Sequence, residues 1–101
     1  MKQAILEGLQ NQGKDEEQAY SIDTTDYGGS PALVSCAVFC LDTNDDVTSV
    51  TMPTNSPSVT GDDIGLSVLK SLTPGKTYRV EVLFTSTGQI CEVYFRVSCP
   101  F

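Results

Sequence analysis

From Tyr78 to Cys99 apolar and polar side chains alternate with a period of two, the pattern of strands that bury one face and expose the other. Tyr78, Val80, Val82 and Phe84 share a face, with Arg79 and Glu81 on the opposite one. After Ser86-Thr87-Gly88 the alternation resumes in Cys91, Val93, Phe95, Val97 and Cys99 against Glu92, Tyr94 and Arg96. An antiparallel hairpin follows. A four-residue loop from Thr85 to Gly88 would pair Val82 with Cys91, Val80 with Val93 and Tyr78 with Phe95, whereas a one-residue slip would bury Glu92. In that register Leu83 and Ile90 face each other on the outer side with Tyr94 nearby, which makes these three a candidate contact patch on the sheet face.

The preceding residues repeat the theme in shorter pieces. Leu33 to Leu41 is nearly continuous in apolar character and reads as a central strand partly covered on both faces, ended by the turn-rich Asp42 to Asp46. Strands are expected at Ala19 to Asp23 and Val47 to Met52. Two more flank a turn within Val59 to Ile64, the second carrying Ile64, Leu66 and Val68 on one face. The prolines of Pro53-Thr54-Asn55-Ser56-Pro57 keep that stretch out of any central strand. About seven short strands in 101 residues point to one all-β domain, an antiparallel β-sandwich.

The first residues read differently. Met1, Ile5 and Leu9 recur at fourfold spacing, widened by Leu6, among good helix formers up to Gln12. A helix of about three turns is marginal in water, so its stripe needs a surface, and Met1, Ile5, Leu6 and Leu9 become candidate partner contacts. Gly13 should stop the helix and Lys14 to Gln18 form a charged, flexible connection. The expected organisation is an arm and linker over 1–18 and a sandwich over 19–101. The start becomes polar too early for a signal-peptide core and no run approaches a membrane span, so synthesis in the cytoplasm is expected.

Composition narrows the chemistry. With 13 acidic and 6 basic residues, a net charge of −7 disfavours phosphate backbones and anionic lipid, so no nucleic acid and no membrane are expected as partners. There is no histidine, the commonest general base and metal ligand. Ser56, Ser58 and Ser98 therefore lack a triad base, and no enzyme activity is expected. Asp42-Thr43-Asn44-Asp45-Asp46 opens like a calcium loop, but Val47 stands where glycine is needed and Pro53 where a bidentate glutamate belongs. Asp62-Asp63 decorates a turn. No metal site and no cofactor are expected. Along a strand Cys36 and Cys40 would lie roughly 13 Å apart and Cys91 and Cys99 farther, so only a bond between one of the first pair and one of the second is open as an alternative to free thiols.

Leu72-Thr73-Pro74-Gly75-Lys76-Thr77-Tyr78-Arg79-Val80-Glu81-Val82 resembles the L-x-P-G-x-x-Y-x-V-x-V signature of fibronectin type III and related immunoglobulin-like domains. The resemblance implies an immunoglobulin-like sandwich in which Leu72, Pro74 and Gly75 build the corner turn and the Tyr78 hydroxyl bonds backbone a few residues upstream. The family's core tryptophan is missing, so Phe39 or a cysteine must fill that volume. Tyr20 to Pro31, Gly75 to Val82 and Thr87-Gly88-Gln89 also look like small virion proteins of tailed bacteriophages, built as a polar arm followed by an immunoglobulin-like domain. That likeness implies a structural protein of the virion, made in the host cytoplasm, whose partners are other capsid or tail proteins and copies of itself. Capsid cement, or decoration protein, is its first reading and a tail or fibre adaptor its second. A free module binding carbohydrate or protein through the loops Asp42 to Asp46 and Pro53 to Pro57 is the alternative from another class.

Overall fold

The computed structural model describes the backbone of residues 2–4 and all of residues 10–101. Three long strands dominate: β4 (Ala32–Cys40), β8 (Thr77–Ser86) and β9 (Gln89–Ser98). Their period-two stretches place Cys36, Val38, Cys40, Tyr78, Val80, Val82, Phe84, Val93, Phe95 and Val97 on one buried face. The sheet runs β1-β9-β8-β4-β5, with β1 (Lys2–Ala4) on one edge, β5 (Asp45–Asp46) on the other and β2 (Gln10–Asn11) also paired with β9. Opposite it stands a smaller sheet, β3-β7-β6, made of β3 (Ser21–Asp23), β6 (Ser58–Thr60) and β7 (Asp63–Gly65). Ile22 and Ile64 from the small sheet, with Met52, Leu66, Leu69 and Leu72 from connections, join the large sheet's inner face in one core. The fold is all-β in two sheets, as a sandwich requires. Among the described residues no helix is long and apolar enough to cross a membrane.

The hairpin exists, but two residues from the expected register. Val82 pairs with Val93, Val80 with Phe95, Tyr78 with Val97 and Phe84 with Cys91. The loop is only Thr87-Gly88, both at positive φ (50° and 79°), the backbone of a tight two-residue hairpin turn. Shortening the loop adds the pairs Thr85–Ile90 and Ser86–Gln89 to the ladder. A shift of two leaves every side chain on its face, so alternation was right about burial and silent about register.

The amino-terminal segment is not a helical arm where the structure describes it. Lys2, Gln3 and Ala4 pair in parallel with Glu92, Val93 and Tyr94, and Gln10 and Asn11 with Val97 and Ser98. An unpaired β9 edge offers backbone hydrogen bonds that a marginal three-turn helix would forgo. Met1, Ile5, Leu6 and Leu9 lie outside the described residues. Gln12 is fully buried: its main-chain N–H donates to Ser98 O (2.9 Å), its Nε2 donates to Leu69 O (2.7 Å) and Glu16 O (3.1 Å), and its Oε1 accepts from the Tyr20 hydroxyl (2.9 Å). The expected loose linker is a bonded turn: Glu16 accepts Gly13 N–H (2.9 Å) and Gln18 Nε2 (2.6 Å), contacts that hold its carboxyl below the usual range. Lys14 N–H reaches Phe101 O at 2.7 Å, tying this turn to the carboxyl terminus.

Two further expectations change. Val47 to Met52 is not a strand but carries the helix α1 (Thr48–Thr51), started by Asp46, whose Oδ1 accepts both Thr48 N–H (2.9 Å) and Thr48 Oγ1 (2.6 Å). Phe39 points outward, half-buried and opposite Arg79, so Cys36 and Cys40, not Phe39, supply inward volume on β4. The β6–β7 hairpin is as expected, pairing Val59 with Ile64 across Gly61-Asp62. Ile64 and Leu66 are buried while Val68, past the end of β7, is exposed.

Candidate interaction surface

The large sheet's outer face divides into an apolar end and a charged end. At the hairpin end, Ala32 pairs with Thr85 and Thr85 with Ile90, and in the next register row Ser35 pairs with Leu83 and Leu83 with Glu92. Between Ala32 and Ser35 the β4 ladder is broken by a bulge, where Leu33 takes φ +52°. Positive φ costs a branched side chain about 1 kcal/mol or more, and bulges re-aim side chains. Leu33 is 83% exposed at this bulge, and on the outer face of the neighbouring strands Ile90 is 70% and Leu83 41% exposed. Leu83 and Ile90 thus share a face, as the alternation indicates, but do not oppose each other. Leu33 was not singled out in the sequence, because an alternating strand has no place for a residue extruded by a bulge.

Tyr94, the third residue of the expected patch, belongs to the charged end. It is half-buried opposite Glu81, and the Arg79 guanidinium carbon lies 5.9 Å from its ring centroid. Arg79 Nε sits 2.7 Å from Glu81 Oε2 without a hydrogen bond's alignment, so that contact is coulombic.

Behind Ile90 the surface continues around the edge of the sandwich. A cavity of about 460 Å³ is lined by Asp26, Tyr27, Gln89, Ile90, Cys91, Glu92 and Val93. A second, of about 340 Å³, shares Asp26 and Tyr27 and is completed by Ser21, Ile22, Asp23, Thr25 and Asp63. Tyr27 packs edge-on against Phe84 with ring centroids 6.1 Å apart, and burial, Asp26 and Cys91 together hold its hydroxyl above the usual pKa. The segment Gly28-Gly29 anchors this end. Gly28 has φ +110° and a Cβ there would lie 2.9 Å from Ser86 Oγ; Gly29 has φ +71° and a Cβ would lie 2.5 Å from Asp62 Oδ1. Any side chain at either position would meet both a strained backbone and the side chains of Ser86 or Asp62, which favours glycine. Ser86 Oγ donates to Gly29 O (2.6 Å), while Thr24 N–H and Oγ1 donate to Asp62 O (2.9 and 2.6 Å), joining the hairpin tip to the small sheet.

The remaining candidate residues are structural in position. Thr73 N–H donates to the Tyr78 hydroxyl oxygen at 2.8 Å, Leu72 is buried, Pro74 is exposed, and Gly75 turns at φ +84° with its N–H on Cys99 O (2.7 Å). Asp42 Oδ2 accepts Thr77 N–H (2.9 Å), and Asp62 lies in the β6–β7 turn. Among the described residues no three of His, Cys, Asp and Glu are grouped to hold a metal ion.

All four cysteines are free thiols. Strand β8 separates β4 from β9, placing Cys36 and Cys40 about two strand spacings, ~10 Å, from β9, beyond the ~7 Å Cα reach of a disulfide. The cross-strand bond left open by the spacing is closed by the strand order. Burial pushes the Cys36 thiol up to about 12, whereas Cys91 is half-exposed beside the larger cavity. Because only thiolate is alkylated, brief iodoacetamide treatment at pH 8 should label Cys91 first and leave Cys36 unmodified until the protein is unfolded. Peptide mass spectrometry reads the order, and early labelling of Cys36 would contradict this burial.

No family model, no curated protein and no solved structure matches this chain.

Proposed function

We propose that this chain is a non-enzymatic structural protein of a tailed-phage virion, an immunoglobulin-like module acting as capsid cement. Three features support an immunoglobulin-like reading of the sandwich. A five-strand path, β1-β9-β8-β4-β5, faces β3-β7-β6; the first strand runs parallel to the last; and the Tyr78 hydroxyl bonds backbone five residues upstream. The virion assignment rests on the sequence likeness of Tyr20 to Pro31, Gly75 to Val82 and Thr87 to Gln89.

One observation carries the adhesive mechanism: Leu83 and Ile90, diagonal neighbours on the outer face, are both exposed, and Leu33, at the β4 bulge next to the Ala32–Thr85–Ile90 row, is exposed with φ +52°. In this proposal the sheet face is the adhesive surface, since the described parts of the amino-terminal segment pair with β9 of the same chain. Two leucines and an isoleucine buried on a neighbour would contribute on the order of 3–6 kcal/mol before ordering costs, and a repeated lattice multiplies such contacts.

The test is a Leu33→Asp/Ile90→Asp double variant supplied in trans to particles lacking the wild-type protein. The wild type should co-purify with particles and raise their resistance to heat. The variant, with an unchanged urea midpoint in isolation, should be incorporated at least tenfold less. A wild type absent from particles, or a variant incorporated as well as wild type, would overturn the proposal. Recovery with isolated tails would replace capsid cement by tail adaptor.

A further inference from the structure

The two cavities that share Asp26 and Tyr27 point to the kind of partner this end of the molecule takes. Their shared wall, Asp26 and Tyr27, makes one continuous surface from Ile90 and Val93 of β9 to Ser21, Ile22 and Asp23 of β3. It combines apolar side chains with Asp23, Asp26 and Asp63, all exposed, and no described lysine or arginine side chain lines either cavity. Thr25 satisfies Asp23 through its N–H (2.9 Å) and Oγ1 (2.5 Å), which holds that carboxyl below the usual range and therefore charged.

The backbone beside these aspartates is open. Leu66 N–H donates to Tyr20 O (2.8 Å) and Thr24 N–H to Asp62 O (2.9 Å), so residues 20, 22 and 24 turn their peptide groups towards β7. Ser21 and Asp23 turn theirs outward, and among the described residues no strand pairs with that edge.

We propose that this surface docks an extended, basic segment of a different protein. The segment adds to the outer edge of β3, sets lysine or arginine side chains against Asp23, Asp26 and Asp63, and seats an apolar side chain beside Tyr27 and Ile90. The occupant follows from charge. A second copy presenting the same edge would set Asp23 against Asp23, and nucleic acid or anionic lipid would be repelled, whereas a basic strand gains both the ladder and the ion pairs. The inference rests on the docking part of the function proposed above, not on its placement in a virion.

The probe is a fluorescein-labelled peptide of alternating lysine and valine, titrated by anisotropy with the full chain, alongside a glutamate–valine peptide of the same length. The basic peptide should bind and the acidic one should not. Asp23→Asn/Asp26→Asn/Asp63→Asn and, separately, Ile90→Ser should each weaken binding at least tenfold. Asp15→Asn/Glu17→Gln/Asp45→Asn removes the same charge from elsewhere on the surface and should change it less than twofold. Absence of binding, equal binding of both peptides, or equal weakening by the two charge-neutralised triple variants would overturn the proposal. Peptide binding by a protein that never enters particles would sink the virion reading and leave this one standing; incorporation without peptide binding would do the reverse.

Discussion

Replacing Phe84 by alanine should cost about 3–5 kcal/mol of stability, the largest effect expected of any single substitution in this chain. Phe84 is fully buried at the inner face of β8, opposite Cys91, and its ring supports the edge of Tyr27. Alanine removes that apolar area and leaves a cavity which two hydrogen-bonded sheets cannot close by collapse. The measurement is the urea midpoint at constant m-value, with Phe84→Leu as the partner variant, expected to lose less than half as much. A loss below about 1 kcal/mol for alanine would mean that this ring does not hold the two sheets together. The same residue connects core to surface: Tyr27 lines both cavities at the docking end, so loosening Phe84 should weaken the basic-peptide contact even where the fold survives.

Gln12→Ala should cost about 1–3 kcal/mol, because it leaves the Leu69 carbonyl with the Gln18 N–H (3.2 Å) as its one remaining partner, removes a donor to Glu16 O and strips the Tyr20 hydroxyl of its acceptor. Gln12→Glu separates bonding from volume. The carboxylate keeps the shape but sets negative charge against two carbonyl oxygens, which raises its pKa in the folded state above the unfolded value. Its penalty should therefore be larger at pH 8 than at pH 5, where the protonated acid again donates. Thermal melts of the three proteins at both pH values provide the check, and equal melting temperatures across the set would refute the clasp. Removing residues 1–12 would take Gln12 and the described strands β1 and β2 together, so that deletion probes the fold before it probes adhesion.

How much of this was legible in the sequence is best seen residue by residue. Val80, Val82, Phe84, Val93, Phe95 and Val97 went to the core face because period-two alternation is a property of the extended backbone itself. Tyr78 could be assigned to its corner from Leu72-Thr73-Pro74-Gly75, since the turn chemistry and the tyrosine are contiguous. The hairpin register escaped by two residues because a shift of two conserves every face, and only the positive φ of Thr87 and Gly88 selects the shorter loop. The amino-terminal stripe suggested a helix because fourfold spacing is a local signal, while the β9 edge paired with Lys2–Ala4 and Gln10–Asn11 is assembled from residues some 90 positions away.

The candidate surface divides in the same way. Leu83 and Ile90 could be placed on the outer face from parity alone. Leu33, extruded by a bulge, and Tyr94, drawn under Arg79, depended on how β4 and β9 align with β8. The two cavities required Asp26 and Tyr27 to lie between Ile90 on one side and Asp23 and Asp63 on the other, beside a corner held by Gly28-Gly29, Ser86 and Asp62. By itself, then, the sequence determined the class of fold, the buried faces of β8 and β9 and the corner turn, all of which are set within a few bonds of the residues concerned. The tertiary structure alone decided the register, the pairing of Lys2–Ala4 and Gln10–Asn11 with β9, the impossibility of the cysteine cross-link and the meeting of the two cavities at Asp26 and Tyr27. Each of these is a distance between residues far apart in the chain, and side-chain periodicity carries no information about such distances.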